Sequence, residues 1–172
     1  MGKWDNKEYR RKYHRKYYEK YVGYKQRGIS KLKLNNLSEI DKSWLACAID
    51  TDGCIFVGKT GYSWTTKIEF TAKSYPSLTM YFAKLVGYNK IYKRRTQDGI
   101  EYRISIQNRI DVLKLLSLVQ PYLIAKRKQC DLILKELPAI PHWIEEKEKR
   151  DLLFNSLSNK IKELNKGEIL YD

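Results

Sequence analysis

The sequence is poor in the residues that build metal clusters and disulfide frameworks. Its 172 residues include only three cysteines and two histidines. Cys47, Cys54 and Cys130 are odd in number, lie in apolar surroundings and form no C-x-x-C pair, so we predict reduced thiols and no zinc site. His14 and His142 lie in unrelated segments, which argues against a histidine metal cluster or a catalytic triad.

Long hydrophobic runs are absent as well. No apolar span reaches the length of about 18 residues that a transmembrane helix needs, so we predict no membrane-spanning segment. The N-terminus is basic but lacks the apolar core of a secretory signal. We therefore expect an intracellular protein with no membrane partner.

Basic charge, in contrast, is abundant. The chain has 34 Lys and Arg against 20 Asp and Glu, a formal net charge of +14. This balance predicts a polyanionic partner, of which nucleic acid is the first candidate, although a ribosomal protein or a general RNA binder would show the same balance. The length and the 42% apolar content predict one folded domain with a real core.

The first 36 residues differ in composition from the rest. They carry twelve Lys and Arg against three acids, a net charge of +9. Tyr9, Tyr13, Tyr17, Tyr21 and Tyr24 recur three or four residues apart, which indicates one face of a helix. We interpret residues 1–36 as a basic N-terminal arm that follows DNA phosphates, with a solvated or disordered tail as the alternative.

An apolar helix that ends in two acids is the central feature of the chain. Residues 45–49 are Leu-Ala-Cys-Ala-Ile, and their small side chains would let another backbone approach closely. Asp50 and Asp52 follow at the predicted helix end, and Gly53 suits the left-handed residue that ends a helix. Acids are unfavourable at this negative end of the helix dipole. Binding a divalent cation is one reason to place them there.

The other segments alternate helices with pairs of strands. Ser38 is the predicted N-cap of the central helix. Strands are predicted over 54–60, 64–73, 91–95 and 100–107, with Asp98-Gly99 as a hairpin turn. Further helices are predicted from Pro76 to 86, over 112–119 and 126–137, and over 143–164 with Leu152, Leu153, Leu157, Ile161 and Leu164 on one face. The order is α-β-β-α-β-β-α with additional C-terminal helices, an α+β fold.

Each predicted strand has one apolar and one polar side. Helices should cover the apolar side, which leaves a polar face with the charge and hydrogen-bond variety that base recognition in a major groove requires. An ordinary solvated face is the alternative. In the first strand Phe56, Gly58 and Thr60 share the side of Cys54 if alternation holds. The residues predicted to face bases or phosphates are Lys67, Glu69, Thr71, Lys73, Tyr92, Arg94, Glu101, Arg103, Ser105 and Gln107.

Two segments resemble one known family. Residues 45–53, L-A-C-A-I-D-T-D-G, resemble the LAGLIDADG motif of the homing endonucleases and depart from it at Cys47, Ala48 and Thr51. Residues 120–129, Q-P-Y-L-I-A-K-R-K-Q, resemble the Q-P-(F/Y)-L-x-x-K-x-K-Q segment of that family. The predicted element order is also that of the family core. The resemblance implies a saddle-like antiparallel sheet and a LAGLIDADG endonuclease domain over residues 37–172.

The family resemblance also implies an activity and its residues. The expected activity is intron homing, in which a Mg²⁺-dependent enzyme hydrolyses both strands of double-stranded DNA across the minor groove; other divalent cations can substitute. Asp52 would be catalytic and hold the metal, with the Thr51 carbonyl as a second ligand, and Asp50 would tie the helix end to nearby backbone. Lys126 would polarise the attacking water or stabilise phosphate charge, and Lys128 would contact DNA. Ser74 falls where the family often has Gln, or it could instead cap the helix that begins near Pro76.

The single copy of the motif implies a homodimer. In the resembling family, the two motif helices pack against each other, so Ala46, Cys47, Ala48 and Thr51 are predicted to form the dimer interface. A symmetric dimer should recognise a near-palindromic DNA site.

Two other functions stay open on the same fold. One is an RNA maturase that assists splicing and takes intron RNA as its partner; the other is a non-catalytic DNA-binding regulator. The presence of Asp50, Asp52 and Lys126 favours the endonuclease, since a binding module needs none of them. The protein would be cytoplasmic in a prokaryote and organellar if an organelle intron carries its gene.

Overall fold

A computed structural model of the chain describes residues 30–34, 36–61, 63–88, 90–141 and 147–166. Most of the predicted basic arm, residues 1–29, lies outside the described residues. Those from Lys31 onward form one compact unit. Within its first segment Leu32 is buried, and the Lys33 amide donates to the Val86 carbonyl at 3.1 Å.

The predicted order of elements is confirmed. The elements are α1 (Glu39–Thr51), β1 (Gly53–Thr60), β2 (Ser63–Lys73), α2 (Pro76–Val86), β3 (Tyr92–Thr96), β4 (Gly99–Ile106), α3 (Arg109–Val119), α4 (Arg127–Glu136) and α5 (Lys147–Asn165). Short 3₁₀ turns at Gln120–Tyr122 and Leu137–Ala139 follow α3 and α4.

The four strands form one antiparallel sheet in the order β1-β2-β4-β3. In β2 the side chains of Thr66, Ile68, Phe70 and Ala72 are buried, whereas those between them are partly or fully exposed. The sheet therefore has an apolar inner face and a polar outer face, as predicted. Helices α1, α2 and α3 contact β2, and α5 contacts β1 at the sheet edge.

Stacked aromatic rings and aliphatic side chains fill the space between sheet and helices. The rings of Phe70 in β2 and Phe82 in α2 are parallel, with centroids 4.9 Å apart. Trp44 of α1 meets the edge of Phe70 at 6.3 Å. Burial of such side chains, at roughly 1.5–3 kcal/mol each, holds α1 at a fixed position under the sheet.

Helix α1 begins as predicted but ends differently. Ser38 and Asp41 form a capping box, in which the Ser38 hydroxyl accepts from the Asp41 amide at 3.2 Å. At the other end Asp52 is the C-cap in a right-handed conformation, and Gly53 already belongs to β1. The predicted left-handed Gly53 is therefore wrong. A glycine is needed there for space, because a Cβ would lie 2.6 Å from the Ile49 Cα.

Two further expectations are corrected by the fold. Ser74 does not cap α2. The N-cap residue of α2 is Tyr75, whose side chain makes no capping hydrogen bond, and the Ser74 amide donates to the Ile100 carbonyl at 2.8 Å. In α5 the buried side chains include Phe154, Leu157 and Ile161, whereas Leu152 is 71% exposed. The buried face of α5 therefore differs from the predicted leucine face. The helix packs on β1, and its Ser158 hydroxyl donates to the Val57 carbonyl at 2.8 Å.

Candidate active site

The two acids at the end of α1 have different surroundings. Asp50 points to the loop before α4, where its carboxylate accepts from the amides of Ile124 at 2.6 Å, Ala125 at 3.3 Å and Lys126 at 2.8 Å. The three amides precede the first turn of α4, so the acid also suits the positive end of that helix. Asp50 therefore joins α1 to the residue 120–129 segment, which is the structural role predicted for it.

Asp52 lies only two residues further on and is exposed. Its backbone amide donates to the Ala48 carbonyl at 3.2 Å, but its carboxylate makes no hydrogen bond or ion pair within the part of the chain that the structure describes. A free carboxylate at the negative end of a helix is unfavourable in isolation. Its position is well suited to a cation.

Lys126 supplies a cation beside this helix end. Its ammonium group donates to the Asp50 carbonyl, one of the terminal carbonyls that α1 leaves without helical partners. Burial lowers the pKa of Lys126, while the charges of Asp50, Cys54 and Asp52 oppose that shift. Lys126 is thus hydrogen-bonded to Asp50 and attracted by the charge of Asp52, so the structure brings the three predicted residues together.

The donor chemistry fits a hard divalent cation but is incomplete in one chain. Asp52 offers carboxylate oxygens, and the adjacent Thr51 is exposed at the helix end. The Thr51 hydroxyl donates to the Cys47 carbonyl at 2.9 Å and so is already engaged. Within the described residues no three His, Cys, Asp or Glu side chains form a metal-binding group. Further ligands would have to come from water, phosphate or a second copy of the chain.

Ser74 follows the last residue of β2. It has a φ of 61° where the chain turns from β2 towards α2. Gly53, which follows Asp52, pairs with Phe70 in the sheet, and Ser74 lies four residues beyond Phe70. The catalytic role of Ser74 stays a prediction.

The polar face continues from this helix end across the sheet. Cys54, immediately after Gly53, pairs with Glu69 on the outer side of β1. Burial and the charge of Glu69 raise the pKa of the Cys54 thiol, whereas Lys67 and Lys126 lower it. Cys54 thus lies two residues after Asp52 and directly opposite Glu69, so the helix end is joined to the polar face of the sheet.

Strand pairing brings most of the predicted DNA-facing residues into neighbouring positions. Thr71 pairs with Arg103, which pairs with Tyr92; Lys73 pairs with Glu101, which pairs with Arg94. One of the predicted residues, Ser105, is not accessible to a partner, because it is only 6% exposed. It lies opposite Glu69, and its hydroxyl accepts a hydrogen bond from the Gln107 side-chain amide at 3.1 Å. The prediction that Ser105 contacts DNA is therefore wrong. Lys128 is exposed in the first turn of α4.

Two outer-face residues of β1 were not predicted as site residues. Cys54 and the Phe56 ring lie on this face, opposite Glu69 and Lys67, as the alternation in β1 indicates. Both side chains are less polar than the charged and hydrogen-bonding residues that are expected to contact DNA, so the sequence did not single them out. The β1 alternation was the signal that could have identified them.

The predicted dimer interface divides between the two sides of α1. Cys47 and Thr51 are exposed, whereas Ala46 is fully buried and Ala48 is only 7% exposed. Ala46 therefore belongs to the core of one chain and cannot line an interface. The exposed side of α1 continues instead through Ser43 to Ile40, which is 80% exposed.

Among the described helices, none is long and apolar enough to cross a bilayer.

Sequence comparison adds nothing to this description, but structure comparison does. No protein-family model matches the sequence, and no curated protein matches it. Among solved structures, the homing endonuclease I-CvuI, in complex with its target in the presence of calcium, has a TM-score of 0.63 and 21% identity. That match covers 76% of this chain and 85% of I-CvuI.

Two further structures have the same fold. The archaeal intron-encoded homing endonuclease I-Vdi141I, complexed with DNA, matches with a TM-score of 0.55 and 19% identity over 77% of this chain and 89% of that protein. The LAGLIDADG homing endonuclease I-SmaMI, bound to cleaved DNA, matches with a TM-score of 0.51 and 17% identity over 79% of this chain and 46% of its own. The chain thus has the LAGLIDADG homing endonuclease fold, and the neighbours support the family resemblance.

Proposed function

We propose that this chain is a LAGLIDADG homing endonuclease. In this proposal it acts as a homodimer that binds a long, near-palindromic double-stranded DNA site and hydrolyses both strands across the minor groove with Mg²⁺. One observation carries the proposal: the Asp50 carboxylate accepts hydrogen bonds from three amides, whereas the Asp52 carboxylate is exposed and makes no hydrogen bond or ion pair in the described residues.

Asp52 and the Thr51 carbonyl are the proposed metal ligands. A bound divalent cation would act as a Lewis acid, generating hydroxide from water and stabilising charge on the phosphate. Asp52 suits the role of metal ligand because its carboxylate charge adds to the partial negative charge at the C-terminal end of α1. Asp50 fixes the position of Asp52 by anchoring the end of α1 to the loop before α4.

Lys126 is the proposed partner of the reacting phosphate. Its ammonium group has three N–H donors, and the Asp50 carbonyl takes one of them, which leaves two for a phosphate oxygen or a water. Partial burial strengthens such contacts, since charges interact more strongly away from bulk water. Lys126 would therefore stabilise the negative charge that develops as the phosphodiester is attacked.

The geometry of α1 and the number of acids support the proposed homodimer. Each chain has one free carboxylate at this helix end, and cutting two strands needs two. The exposed side of α1, with Cys47 and Thr51 as small residues and Ile40 as a large apolar one, suits contact with a second copy. The match to I-SmaMI covers 46% of its chain, as expected if one copy of this fold supplies half of a complete site.

Cleavage of the intronless insertion site tests the activity. This duplex joins the DNA from the two sides of the intron that would carry the gene, and the assay uses the full chain with Mg²⁺. We expect wild type to cut both strands, Asp52→Asn to be inactive, and Lys126→Gln to be slower by about 10²–10³-fold. Glu163→Gln, an exposed acid of α5, is the control for loss of one negative charge.

Binding measurements on the same duplex separate the alternatives. Asp52→Asn should still bind it, because its loss removes a metal ligand and not a phosphate contact. Cleavage that survives in Asp52→Asn would disprove the role of that residue. An absence of cleavage in wild type together with tight binding of intron RNA would favour the maturase. Sedimentation equilibrium tests the dimer, which Cys47→Arg should dissociate.

A further inference from the structure

The polar face contains an acid held between two basic side chains. Lys67 Nζ lies 2.9 Å from Glu69 Oε2, and an Arg103 guanidinium nitrogen lies 3.7 Å from Glu69 Oε1. The Glu69 side chain is 16% exposed, whereas that of Arg103 is 38% exposed. The carboxylate is therefore covered, and Arg103 retains the exposed surface.

Each of the two cations also lies over an aromatic ring. Lys67 Nζ is 4.9 Å from the centroid of the Phe56 ring, and the Arg103 guanidinium carbon is 5.9 Å from the centroid of the Tyr92 ring. Together Phe56, Lys67, Glu69, Arg103 and Tyr92 form a row, which we call the Glu69 row, that crosses all four strands of the sheet.

The row differs from an ordinary surface ion pair. Exposed pairs contribute little, because ordering two long side chains costs conformational entropy and water screens their attraction. Here each cation is held from two sides, by a ring and by the shared carboxylate, so its side chain is ordered before any partner arrives. An acid on a surface that meets DNA also repels phosphates, so Glu69 must contribute something other than affinity.

We propose that Glu69 is a positioning residue for base recognition, which orients Arg103 and Lys67 towards guanine and so imposes a G·C pair at a fixed position of each half-site. The proposal rests on the proposed function as a site-specific DNA-binding enzyme. Lys67 and Arg103 lie on the neighbouring strands β2 and β4, and the major groove is wide enough to admit a two-stranded β-ribbon. Guanine presents there two acceptors, O6 and N7, which match the donors of Arg and Lys.

Replacing Glu69 by glutamine should change affinity and selectivity in opposite directions. Loss of one negative charge strengthens the attraction to phosphates, so non-specific affinity should rise. Loss of the charged acceptor frees Arg103 and Lys67 to adopt other rotamers, so the preference for G·C at the affected position should fall by about tenfold. Simple destabilisation of the fold would lower both quantities.

Binding selection from a pool of randomised duplexes tests this expectation. Wild type, Glu69→Gln and Glu163→Gln are each used to enrich DNA, and the enriched bases at each position are compared. Glu163 is the control for loss of one negative charge: it is exposed in α5, outside the polar face, and makes no ion pair in the described residues. Glu163→Gln should retain the G·C preference that Glu69→Gln loses.

A double variant completes the test. If Glu69 acts through Arg103, then Arg103→Gln should lose the same preference, and adding Glu69→Gln to it should lose no more. Retention of every G·C preference in Glu69→Gln would overturn the proposal, as would equal losses in Glu69→Gln and Glu163→Gln. Failure of wild type to enrich any sequence would instead contradict the proposed function itself, so the two failures are distinguishable.

Discussion

Replacing Asp50 should destabilise the protein, whereas replacing Asp52, two residues further on, should not. The Asp50 carboxylate accepts from the amides of Ile124, Ala125 and Lys126, and Asp50→Ala would leave all three without a protein acceptor. The Asp52 carboxylate has no such partner in the described chain. Asp52→Asn also removes a negative charge from the negative end of α1.

The expected sizes follow from these contacts. A hydrogen bond to a charged acceptor contributes about 1.5–3 kcal/mol, but the Asp50 bonds are partly exposed and water can replace part of each. We therefore assign about 1 kcal/mol to each of the two short bonds and less to the third, which gives about 2–3 kcal/mol for Asp50→Ala. For a chain of this size that lowers Tm by about 4–12 °C. Asp52→Asn should gain up to about 1 kcal/mol from the helix dipole, less the lost attraction to Lys126.

Urea denaturation of the two variants and wild type measures the difference. With a slope of about 1–3 kcal/mol per M, the midpoint of Asp50→Ala should fall by about 1 M, and that of Asp52→Asn should stay near the wild-type value. Amide hydrogen exchange gives a local check, since the amides of residues 124–126 should exchange faster only in Asp50→Ala. Equal midpoints for the two variants would refute the structural role of Asp50.

Two other predictions concern packing and thiol chemistry. Gly53→Ala should lower the free energy of unfolding by about 1–3 kcal/mol or more, measured in urea, because its Cβ would lie 2.6 Å from the backbone of Ile49; an unchanged midpoint would contradict this close approach. Thiol labelling should separate the cysteines: Cys54 reacts in the native protein, Cys47 reacts as the proposed dimer dissociates, and Cys130 reacts only on unfolding, since burial raises its pKa to about 12. Rapid native labelling of Cys130 would contradict its burial.

The elements and the two faces of the sheet could be predicted because their signals are local. Ser38 and Asp41 stand three residues apart at the start of α1, and the capping box they form needs no distant contact. Alternation in β2 assigned Ile68 and Phe70 to the core because side chains of a strand point to opposite faces in turn. Neither inference required knowledge of which helix would cover the sheet.

Errors arose where a residue's role depends on a distant neighbour. Ser105 alternates correctly with the core residues of β4, yet Gln107 and the strand pairing with Glu69 bury it. Ala46 is small and therefore looks suited to a dimer interface, but the packing around α1 buries it in the core of one chain. Ser74 resembled a helix cap, whereas the N-cap of α2 is Tyr75 and the Ser74 amide donates to the distant Ile100 carbonyl.

Two acids at the end of an apolar helix in a strongly basic α+β chain could be predicted without coordinates, because composition, spacing and helix periodicity are properties of the chain alone. The tertiary fold was needed to assign a role to each acid. It brought a loop 74 to 76 residues away onto Asp50, which gives that acid three amide donors. It left the Asp52 carboxylate exposed and without a hydrogen bond in the described residues, at the helix end where Lys126 also lies.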